Sequence, residues 1–333
     1  MATIKDVAKA ARVSIATVSR VINNTDKVGE VNRSRVINAM NQLNYTPNAN
    51  ARALVKQKSS TIGVVVPDIT DPFFASLANG VEEVARASKM QLLLSTGKQS
   101  EASELEAINL LIERRCEAIV AYSKLIPDDK LCLLSKKFPS LILIDRYIAD
   151  IADRCIWLDN IEGGRIAARH LLSLNHQKLA VINSNYKIDD PLLRLTGFKQ
   201  VVEKQNLTLP KNLVVSYEPT LKGGELAAQD LLEQKLSFTA VFAYNDAMAI
   251  GAISVFEDNG YKVPSDISII GFDDVLLSQY SRPKLTTLHY PINKMATNAA
   301  KLAITYNAEN IQQGFDFKNT PHLIKRDSTA LKR

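Results

Sequence analysis

The chain has 333 residues, of which 46% are hydrophobic, and a formal net charge of +6. This length suffices for two or three domains with a large core, and no apolar run approaches the roughly 18 residues that a membrane span needs. The chain starts with polar and basic residues and has no apolar signal segment, so we expect a cytoplasmic protein with no membrane partner.

The first 23 residues contain two short helix patterns separated by a tight turn. Thr3 is a good N-cap, and Asp6 lies three residues later, near the positive end of the predicted helix. Apolar residues then recur at spacings of three and four, which indicates one buried face formed by Ile4, Val7, Ala8 and Ala11. Ser14 is predicted to cap a second helix, whose buried stripe is Val18, Val21 and Ile22.

A third helix is predicted from about Arg33, with a core face formed by Val36, Ile37, Met40 and Leu43. Three short helices with a tight turn between the first two are typical of a helix-turn-helix head, which lays its second helix in the major groove of DNA. The residues of that second helix that face away from the core are Ile15, Ala16, Thr17, Ser19 and Arg20.

The positive charge of the chain is concentrated in this first part. Residues 1–58 hold ten Lys and Arg and three acids, a net charge of +7, so residues 59–333 carry −1. A helical bundle without a ligand is the alternative interpretation, but it gives no reason for this asymmetry. Because phosphate neutralisation supplies most non-specific affinity for nucleic acid, the charge favours double-stranded DNA as the partner of the head.

We place the head at residues 1–46 and a linker at residues 47–58. Pro47 ends the third helix, because a proline disfavours helical geometry at the residue before it. The stretch from Asn48 to Leu54 has fair helix propensity but is too short to hold as a helix alone in water. It is therefore either a hinge helix that forms with DNA or a partner chain, or a passive solvated linker.

From Thr61 onward, strands and helices alternate. The predicted strands are Thr61–Val66, Gln91–Leu94, Ala118–Ala121 and Leu141–Ile144, and, after a second cycle begins near Ile156, Lys178–Ile182, Ala240–Tyr244 and Ser268–Gly271. The predicted helices are Phe74–Ser88, Glu101–Arg115, Asp128–Lys136, Gly163–Leu174, Leu192–Gln205, Gly223–Gln234 and Asp246–Asn259. Such units predict parallel sheets with helices on both faces. We expect a domain at 59–333 with two lobes, the first about 60–157 plus 290–318 and the second about 158–289 plus 319–331.

Polar residues gather where these strands end. Ligands of doubly wound sheets bind beyond the carboxyl ends of the strands, and a cleft between two lobes brings two such edges face to face. Carboxylates, an amide, a guanidinium and nearby aromatic rings suit a polyhydroxylated sugar. For each single Asp, a helix N-cap is an equally good interpretation from spacing alone, and Asp246 is an example. The polar set includes Asp71, Asp145, Arg194, Asn245 and Asp273.

Neither the cysteines nor the histidines form a metal-ligand pattern. The three cysteines lie in apolar contexts and are predicted to be buried, reduced thiols: Cys116, Cys132 and Cys155. The four histidines are scattered, and the chain has no nucleophile elbow, Walker loop or glycine fingerprint. We therefore expect no metal, no cofactor and no enzymatic activity.

Several segments carry a resemblance to a known family. They are IKDVAKAARVS and IATVSRVIN in the head, YTPNANARAL in the linker, and TIGVVVPDITDPFF, FAYNDAMAIGA, ISIIGFDD and RPKLTTLHYPI in the body. Over essentially its full length the chain resembles the LacI/GalR family of bacterial transcription regulators, and within it the galactose-responsive repressors. The resemblance implies a multidomain protein, with an all-α helix-turn-helix head and a two-lobed α/β effector domain like that of periplasmic binding proteins.

The resemblance also implies roles for residues of the head and the linker. Ile15, Ala16 and Arg20 would face base edges, while Thr17 and Ser19 would bind phosphates and Leu54 would wedge into the minor groove at the operator centre. The full DNA-binding set implied is Thr3, Ser14, Ile15, Ala16, Thr17, Ser19, Arg20, Asn23, Arg33, Asn48, Ala51 and Leu54. Because two hinges must meet at the operator centre, the resemblance implies a homodimer that reads a palindrome.

The implied effector is a sugar, with D-galactose expected first, that releases the repressor from the genes of sugar transport and catabolism. Another hexose, or a purine that strengthens binding as a co-repressor, remains an alternative. A sugar-transport protein and a sugar-modifying enzyme are less consistent with the basic head and the absent catalytic motifs. The effector-binding positions implied by the resemblance are Asp71, Phe73, Asp145, Arg194, Asn245, Asp273 and Tyr290.

Three features depart from the family pattern. Arg12 stands in the turn where relatives usually have glycine, so either the turn differs or its positive charge near phosphate offsets a strained backbone. Gly29 and Asn32 replace the Ser and Thr common before the third helix, which puts one phosphate contact in doubt. The chain has no leucine heptad tail after Lys332, so it offers no basis for a coiled-coil tetramer.

Overall fold

The computed structural model describes residues 2–23, 28–46, 60–98, 100–306 and 315–332. The chain forms two compact units, Met1–Ser60 and Thr61–Arg333. None of the described helices has the length and hydrophobicity that crossing a bilayer requires.

Three helices form the first unit: α1 (Ile4–Ala11), α2 (Ile15–Ile22) and α3 (Glu30–Gln42). The predicted caps Thr3 and Ser14 are confirmed as the N-caps of α1 and α2. The helices enclose a small core of Val7, Ala8, Ala11, Val18, Val21, Val36 and Ala39.

The third helix differs from its prediction in start and in orientation. It begins at Glu30, three residues early, after an extended Gly29 that makes no side-chain cap. The predicted core residues Ile37 and Leu43 are 45% and 37% exposed. Val36 is buried as predicted and Met40 packs against the core, but Ala39 takes the third core position, so Ile37 and Leu43 lie on the outer side of the helix.

Arg12 occupies the tight turn between the first two helices. Its backbone is left-handed, at φ 54° and ψ 45°, and its N–H donates to the carbonyl oxygens of Ala8 and Lys9. The turn therefore keeps a geometry that favours glycine although the residue is arginine. Such a conformation costs an L-residue about 1–2 kcal/mol.

The first lobe of the second unit is built on a parallel sheet. Its elements are β1 (Thr61–Val66), α4 (Pro72–Ala87), β2 (Gln91–Thr96), α5 (Glu101–Glu113), β3 (Ala118–Ala121), α6 (Asp128–Lys137), β4 (Leu141–Ile144) and β5 (Cys155–Leu158). The strand order is β2-β1-β3-β4-β5, and every pair is parallel. The β-branched, continuously apolar β1 suits a strand that is covered on both faces.

The second lobe repeats this plan with four strands. Its elements are α7 (Asn160–Ser173), β6 (Leu179–Ser184), α8 (Asp189–Lys204), β7 (Val214–Tyr217), α9 (Leu221–Glu233), β8 (Ala240–Ala243), α10 (Asp246–Asp258), β9 (Ser268–Ile270) and α11 (Leu276–Tyr280). The strand order is β7-β6-β8-β9, again parallel. Strand β7 was not predicted from the sequence, and it is a four-residue strand at the edge of the sheet.

After α11 the chain leaves the second lobe and adds further elements to the first lobe. The remaining elements are β10 (Thr287–His289), α12 (Ile292–Thr305), β11 (Lys318–Asn319) and β12 (His322–Ile324). Strand β11 pairs with β5 as a sixth strand of the first sheet, and β10 pairs antiparallel with β12. Helix α12 packs closely on α4, since a Cβ at Gly80 would lie 2.6 Å from the Asn293 carbonyl oxygen.

Two predictions for this unit need correction. The strand near Ile156 does not begin the second lobe. It is β5, which pairs with β4 and belongs to the sheet of the first lobe. Cys116 and Cys155 are buried free thiols as expected, but Cys132 is only partly buried, since it lies on the outer helix α6 beside the exposed Leu133. The predicted fold class, a helical head with a two-lobed α/β body, is confirmed.

Candidate functional site

The candidate base-reading residues lie on the exposed side of α2. Ile15 is 45% exposed although it is a large apolar residue, and Ala16 and Arg20 are also exposed. Val18 and Val21 on the opposite side are buried in the head core. The helix therefore presents the predicted face, with one apolar and one basic side chain near its two ends.

The hydroxyl groups of the head already have partners within their own helices. The Ser14 Oγ accepts from the Thr17 backbone N–H at 3.1 Å and lies 2.9 Å from Thr17 Oγ1. Asn23 donates to Ser19 Oγ at 3.4 Å. Arg33 is half-buried near the start of α3. These groups begin from ordered positions, which lowers the entropy that a phosphate contact would cost.

Thr3 belongs to a reciprocal capping box. Its backbone N–H donates to Asp6 Oδ2 at 2.8 Å, and its hydroxyl donates to the same oxygen at 2.7 Å. The Asp6 N–H donates back to Thr3 Oγ1 at 3.4 Å. These hydrogen bonds from Thr3 lower the pKa of the exposed Asp6 carboxyl. Helix α1 therefore begins at a fixed residue, and Thr3 has a structural role independent of DNA.

Three of the implied DNA contacts, at Asn48, Ala51 and Leu54, lie outside the described residues. The choice between a hinge helix and a solvated linker at 47–58 therefore stays a prediction.

A cavity of about 850 Å³ lies between the two lobes of the second unit. It lies at the carboxyl ends of β1, β3 and β4 from the first lobe and of β6 and β8 from the second, as the strand-end argument predicts. All seven predicted effector-binding residues line it: Asp71, Phe73, Asp145, Arg194, Asn245, Asp273 and Tyr290.

The aromatic wall comes from the first lobe. Phe73 packs edge-to-face against Tyr290, with ring centroids 4.8 Å apart. Asp71 caps α4, and its Oδ1 accepts from the Phe73 N–H at 2.9 Å, which fixes the Phe73 backbone. The Tyr290 hydroxyl is buried beside Asp145 but has no hydrogen bond of ordinary geometry among the described residues. It is a polar group that a hydroxyl of a ligand can satisfy.

The second lobe supplies a fully buried guanidinium. Arg194 donates to Asn160 Oδ1 at 2.9 Å and to the Tyr244 carbonyl oxygen at 2.6 Å. Its charged group lies 3.6 Å from the Phe272 ring centroid and 3.7 Å from Asp273 Oδ1. Burial alone would lower the Arg194 pKa, but the surrounding Tyr and Asp groups raise it above its ordinary value. Arg194 is thus a fixed donor on this side of the cleft.

The helix-cap interpretation holds for some of the carboxylates and amides and fails for Asp246. Asn245 is the N-cap of α10, with Oδ1 accepting from the Met248 N–H at 2.9 Å. Asp246 is instead buried and accepts from Thr287 Oγ1 at 2.5 Å and from the Val275 N–H at 2.9 Å. Burial raises the Asp246 pKa to about 7. This carboxyl ties α10 to the strand that crosses between the lobes.

The sequence reasoning missed a buried ion-pair cluster at the base of the cleft. The Lys124 ammonium lies 2.7 Å from Asp145 Oδ2 and 2.9 Å from Asp190 Oδ1. Lys124 follows β3 of the first lobe, whereas Asp190 lies in the first turn of α8 in the second. The strand-end rule that selected Asp145 also applies to Lys124, so this signal was present in the sequence.

The electrostatics of the cleft combine buried carboxylates with two matching cations. Burial and the neighbouring Asp190 raise the pKa of Asp145, while Lys124 opposes that increase. Burial raises the pKa of Asp273 well above its usual range, and Arg194 opposes it. Burial alone would lower the pKa of Lys124, but Asp145 and Asp190 raise it above its ordinary value. The cleft therefore offers fixed donors and acceptors, groups of the kinds that bind hydroxyls.

Two family descriptions match the chain. "Bacterial regulatory proteins, lacI family" matches residues 3–48, and "Periplasmic binding protein-like domain" matches residues 168–329. The first covers the helical head, and the second lies within the two-lobed unit.

Named relatives cover nearly the whole chain. The HTH-type transcriptional regulator GalR of Escherichia coli (strain K12) is 45% identical over 330 residues, which are 99% of this chain and 96% of that protein. The regulator GalS of Salmonella typhimurium (strain LT2) is 40% identical, covering 99% and 97%. The lac repressor dimer, solved with operator and the anti-inducer ONPF, has a TM-score of 0.88 at 24% identity and 99% coverage of both chains, which supports the fold. The chain therefore belongs to the LacI family of DNA-binding transcriptional repressors.

Proposed function

We propose that this repressor controls genes of sugar transport and catabolism and that a sugar, D-galactose, releases it from its operator. The observation that carries the sugar assignment is the cleft, in which buried carboxylates, a buried guanidinium and the buried Tyr290 hydroxyl surround about 850 Å³. Galactose is the first candidate because the E. coli relative named GalR shares 45% of its residues with this chain.

On the DNA side, the proposal assigns base contacts to Ile15, Ala16 and Arg20, and backbone contacts to the hydroxyl, amide and basic groups around them. The exposure of α2 and the net charge of +7 in residues 1–58 support this assignment. The linker at 47–58 would form a hinge helix that inserts Leu54 into the minor groove. The residues proposed for backbone or hinge contacts are Thr3, Ser14, Thr17, Ser19, Asn23, Arg33, Asn48 and Ala51.

The proposed functional unit is a homodimer that reads a palindromic operator, since each chain supplies one head and one hinge. Such a protein works in the cytoplasm, where it associates with the nucleoid through its DNA contacts. The proposed division of labour is a head at 1–46, a hinge at 47–58 and an effector-binding and dimerising domain at 59–333.

In the proposed mechanism, the sugar binds both lobes and favours their closure, which disfavours the paired hinge helices. Linkage then requires that operator binding weaken sugar binding by the same factor by which sugar weakens operator binding. This reciprocity is a property of the binding free energies, so it can be measured at equilibrium from either side.

The test is operator affinity with and without effector. An operator is first selected with the purified full-length protein from a randomised palindromic DNA library, and its Kd is then measured with D-galactose, D-glucose, D-fucose or hypoxanthine. We expect D-galactose to weaken binding about 5- to 150-fold, the usual range of allosteric coupling. Tighter binding with hypoxanthine would replace the inducer by a purine co-repressor, and no change with any sugar would overturn the effector assignment.

A further inference from the structure

The ion-pair cluster at the base of the cleft joins the two lobes through side chains of the protein itself. The Lys124 ammonium contacts Asp145 on its own lobe and Asp190 on the other, and the side chains of all three residues are at least 91% buried. Lys124 lies in the loop after β3 of the first sheet, whereas Asp190 lies on α8, which follows β6 of the second sheet. The link is therefore a connection across the cleft that the protein's own side chains make.

The loop that carries Lys124 is held by a third buried carboxylate, Glu104. The Glu104 side chain accepts from the N–H groups of Lys124, Leu125 and Ile126 at 3.1–3.2 Å, and from Ser123 Oγ at 2.6 Å. Four donors on one carboxylate fix the loop after β3, so the lysine stem leaves from a rigid backbone. The ammonium is therefore preorganised for both aspartates.

The partners of Lys124 leave room for a ligand to complete the cluster. Asp190 Oδ2 and the Tyr290 hydroxyl are both buried without a hydrogen-bond partner among the described residues. Lys124 and Asp145 line the cavity directly. A ligand hydroxyl that reaches Asp145 therefore meets a carboxylate already oriented by the interlobe cation.

We propose that Lys124 is the residue that ties the two lobes together at the cleft and sets how tightly the closed cleft holds its ligand. This inference rests on the proposed function for the identity of the ligand, but not for the existence of the interlobe link. Lys124 supplies the positive charge that allows two like-charged aspartates from opposite lobes to remain adjacent.

The first experiment measures the link without sugar, as a double-mutant cycle in thermal unfolding of the full-length protein. Lys124→Met keeps the aliphatic stem but leaves Asp145 and Asp190 without a cation, so we expect the Tm to fall by roughly 5–15 °C. Asp190→Asn leaves Lys124 paired with Asp145 and should have a smaller effect. In the double variant, the decrease in Tm should be smaller than the sum of the two single decreases. The reason is that one of the two repelling carboxylates is removed together with the cation.

A matched control is available on the same lobe. Lys130 pairs with Glu101 at 2.6 Å, but both side chains are more than 40% exposed and both lie on the first lobe. Lys130→Met should shift the Tm by only about 2 °C or less, since exposed pairs contribute little. Additive effects of Lys124→Met and Asp190→Asn, or a Lys124→Met effect no larger than that of the control, would overturn the interlobe link.

The second experiment measures D-galactose affinity as a function of pH, a readout that a purely structural lysine would not move. The charged and titratable groups facing the pair are Arg194, Asp273, Tyr122, Tyr244 and Tyr290. Without Lys124, closing the cleft brings two negative carboxylates, Asp145 and Asp190, close together. Their repulsion is relieved only when one of them takes up a proton. Affinity of Lys124→Met should therefore be at least tenfold weaker than wild type at pH 8 and should recover as the pH falls to 5.5.

For Lys124→Met, we expect log Kd to rise more steeply with pH than it does for wild type. The extra slope should be at most one, which corresponds to the uptake of one proton on binding. The double variant Lys124→Met with Asp190→Asn should lose this extra slope, because one of the repelling carboxylates is gone. Parallel pH profiles for wild type and Lys124→Met would contradict the proposal. If wild type binds no sugar at all, the proposed function fails, while the unfolding cycle still decides whether the link exists.

Discussion

The head and the interlobe cleft place their candidate binding residues in opposite environments. On α2, Ile15 is 45% exposed and Arg20 points away from a core of only seven buried residues. In the cleft, Asp145, Arg194 and Tyr290 are each at least 95% buried. In the described part of the head, Thr17 bonds to Ser14 and Asn23 to Ser19, three and four residues away, whereas Arg194 bonds to Asn160 and Tyr244, 34 and 50 residues away.

This difference indicates how each region is expected to respond to mutation. An exposed side chain that caps no helix can be removed with little loss of fold, so changes at Ile15 and Arg20 on α2 should act mainly on binding. A buried charge cannot be removed without exposing or orphaning its partner, so changes in the cleft should act on stability and on ligand response together. Variants of α2 and of the cleft therefore test whether exposure and burial separate the two kinds of response.

The largest effect is expected from Arg194→Met. The substitution keeps an unbranched side chain beside Phe272 but leaves Asp273 buried without its cation, which costs about 3–5 kcal/mol of stability. We expect the response to D-galactose to fall at least 100-fold, measured as the sugar concentration that half-releases operator. The exposed Arg169, which pairs with Glu162, provides the control Arg169→Met. A normal sugar response in Arg194→Met would show that the guanidinium is only structural.

Leu54→Ala tests the hinge, which belongs to neither region. If Leu54 wedges into the minor groove, its truncation should weaken specific operator binding by more than tenfold and leave binding to random DNA nearly unchanged, since that binding is mainly electrostatic. The ratio of the two affinities at one salt concentration is the measurement. Val55→Ala, a neighbouring apolar truncation, is the control, and equal losses on both DNAs in Leu54→Ala would contradict the wedge.

Arg20→Ala should change base preference with little effect on stability. A good base contact is worth about 1–3 kcal/mol of discrimination against the wrong base. The ratio of affinities for the selected operator and for single-base variants should therefore fall about tenfold at the position that Arg20 reads. Lys9→Ala, an exposed basic residue on α1, should leave this ratio unchanged. A uniform loss across all variants would make Arg20 a phosphate contact.

Arg12→Gly should give the smallest effect. Glycine removes the strain of the left-handed turn, although it adds entropy to the unfolded chain, so the head should gain up to about 1 kcal/mol. Hydrogen exchange of the α1 amides in the full-length protein measures this gain. Arg12→Ala is the matched control, because it removes the same charge and keeps an L-residue in the turn. Equal protection in the two variants would mean that strain at this position is negligible.

The sequence predicted the head with few errors because its signals are local. Caps such as Thr3 and Ser14 act within three residues, and the apolar spacing of α1 and α2 fixes their buried faces. The errors, Ile37 and Leu43, fall on α3, where two overlapping apolar stripes compete and the packing against α1 selects the one with Val36 and Ala39. Local patterns cannot rank two faces of one helix when a neighbouring helix makes the choice.

The cleft was predicted in part, because the strand-end rule says where ligand-facing residues lie but not which of them meet. It brought Asp71, Asp145, Asn245 and Asp273 to one cavity. It gave no indication that Lys124 would pair with Asp190 across 66 residues, or that Glu104 would fix the loop that carries Lys124. Nor could spacing separate Asn245, which caps α10, from Asp246, which is buried against Thr287.

The helix-turn-helix head and the alternation of strands and helices can be read from the sequence, since each depends on neighbours a few residues apart, and the positive charge of residues 1–58 is a simple sum. The three-dimensional structure was needed to show that β5 joins the first sheet, that β11 pairs with it from near the end of the chain, and that Lys124 contacts both lobes. Those outcomes depend on which distant segments share a sheet or a cleft, and burial then gives their charges an effect that no local pattern carries.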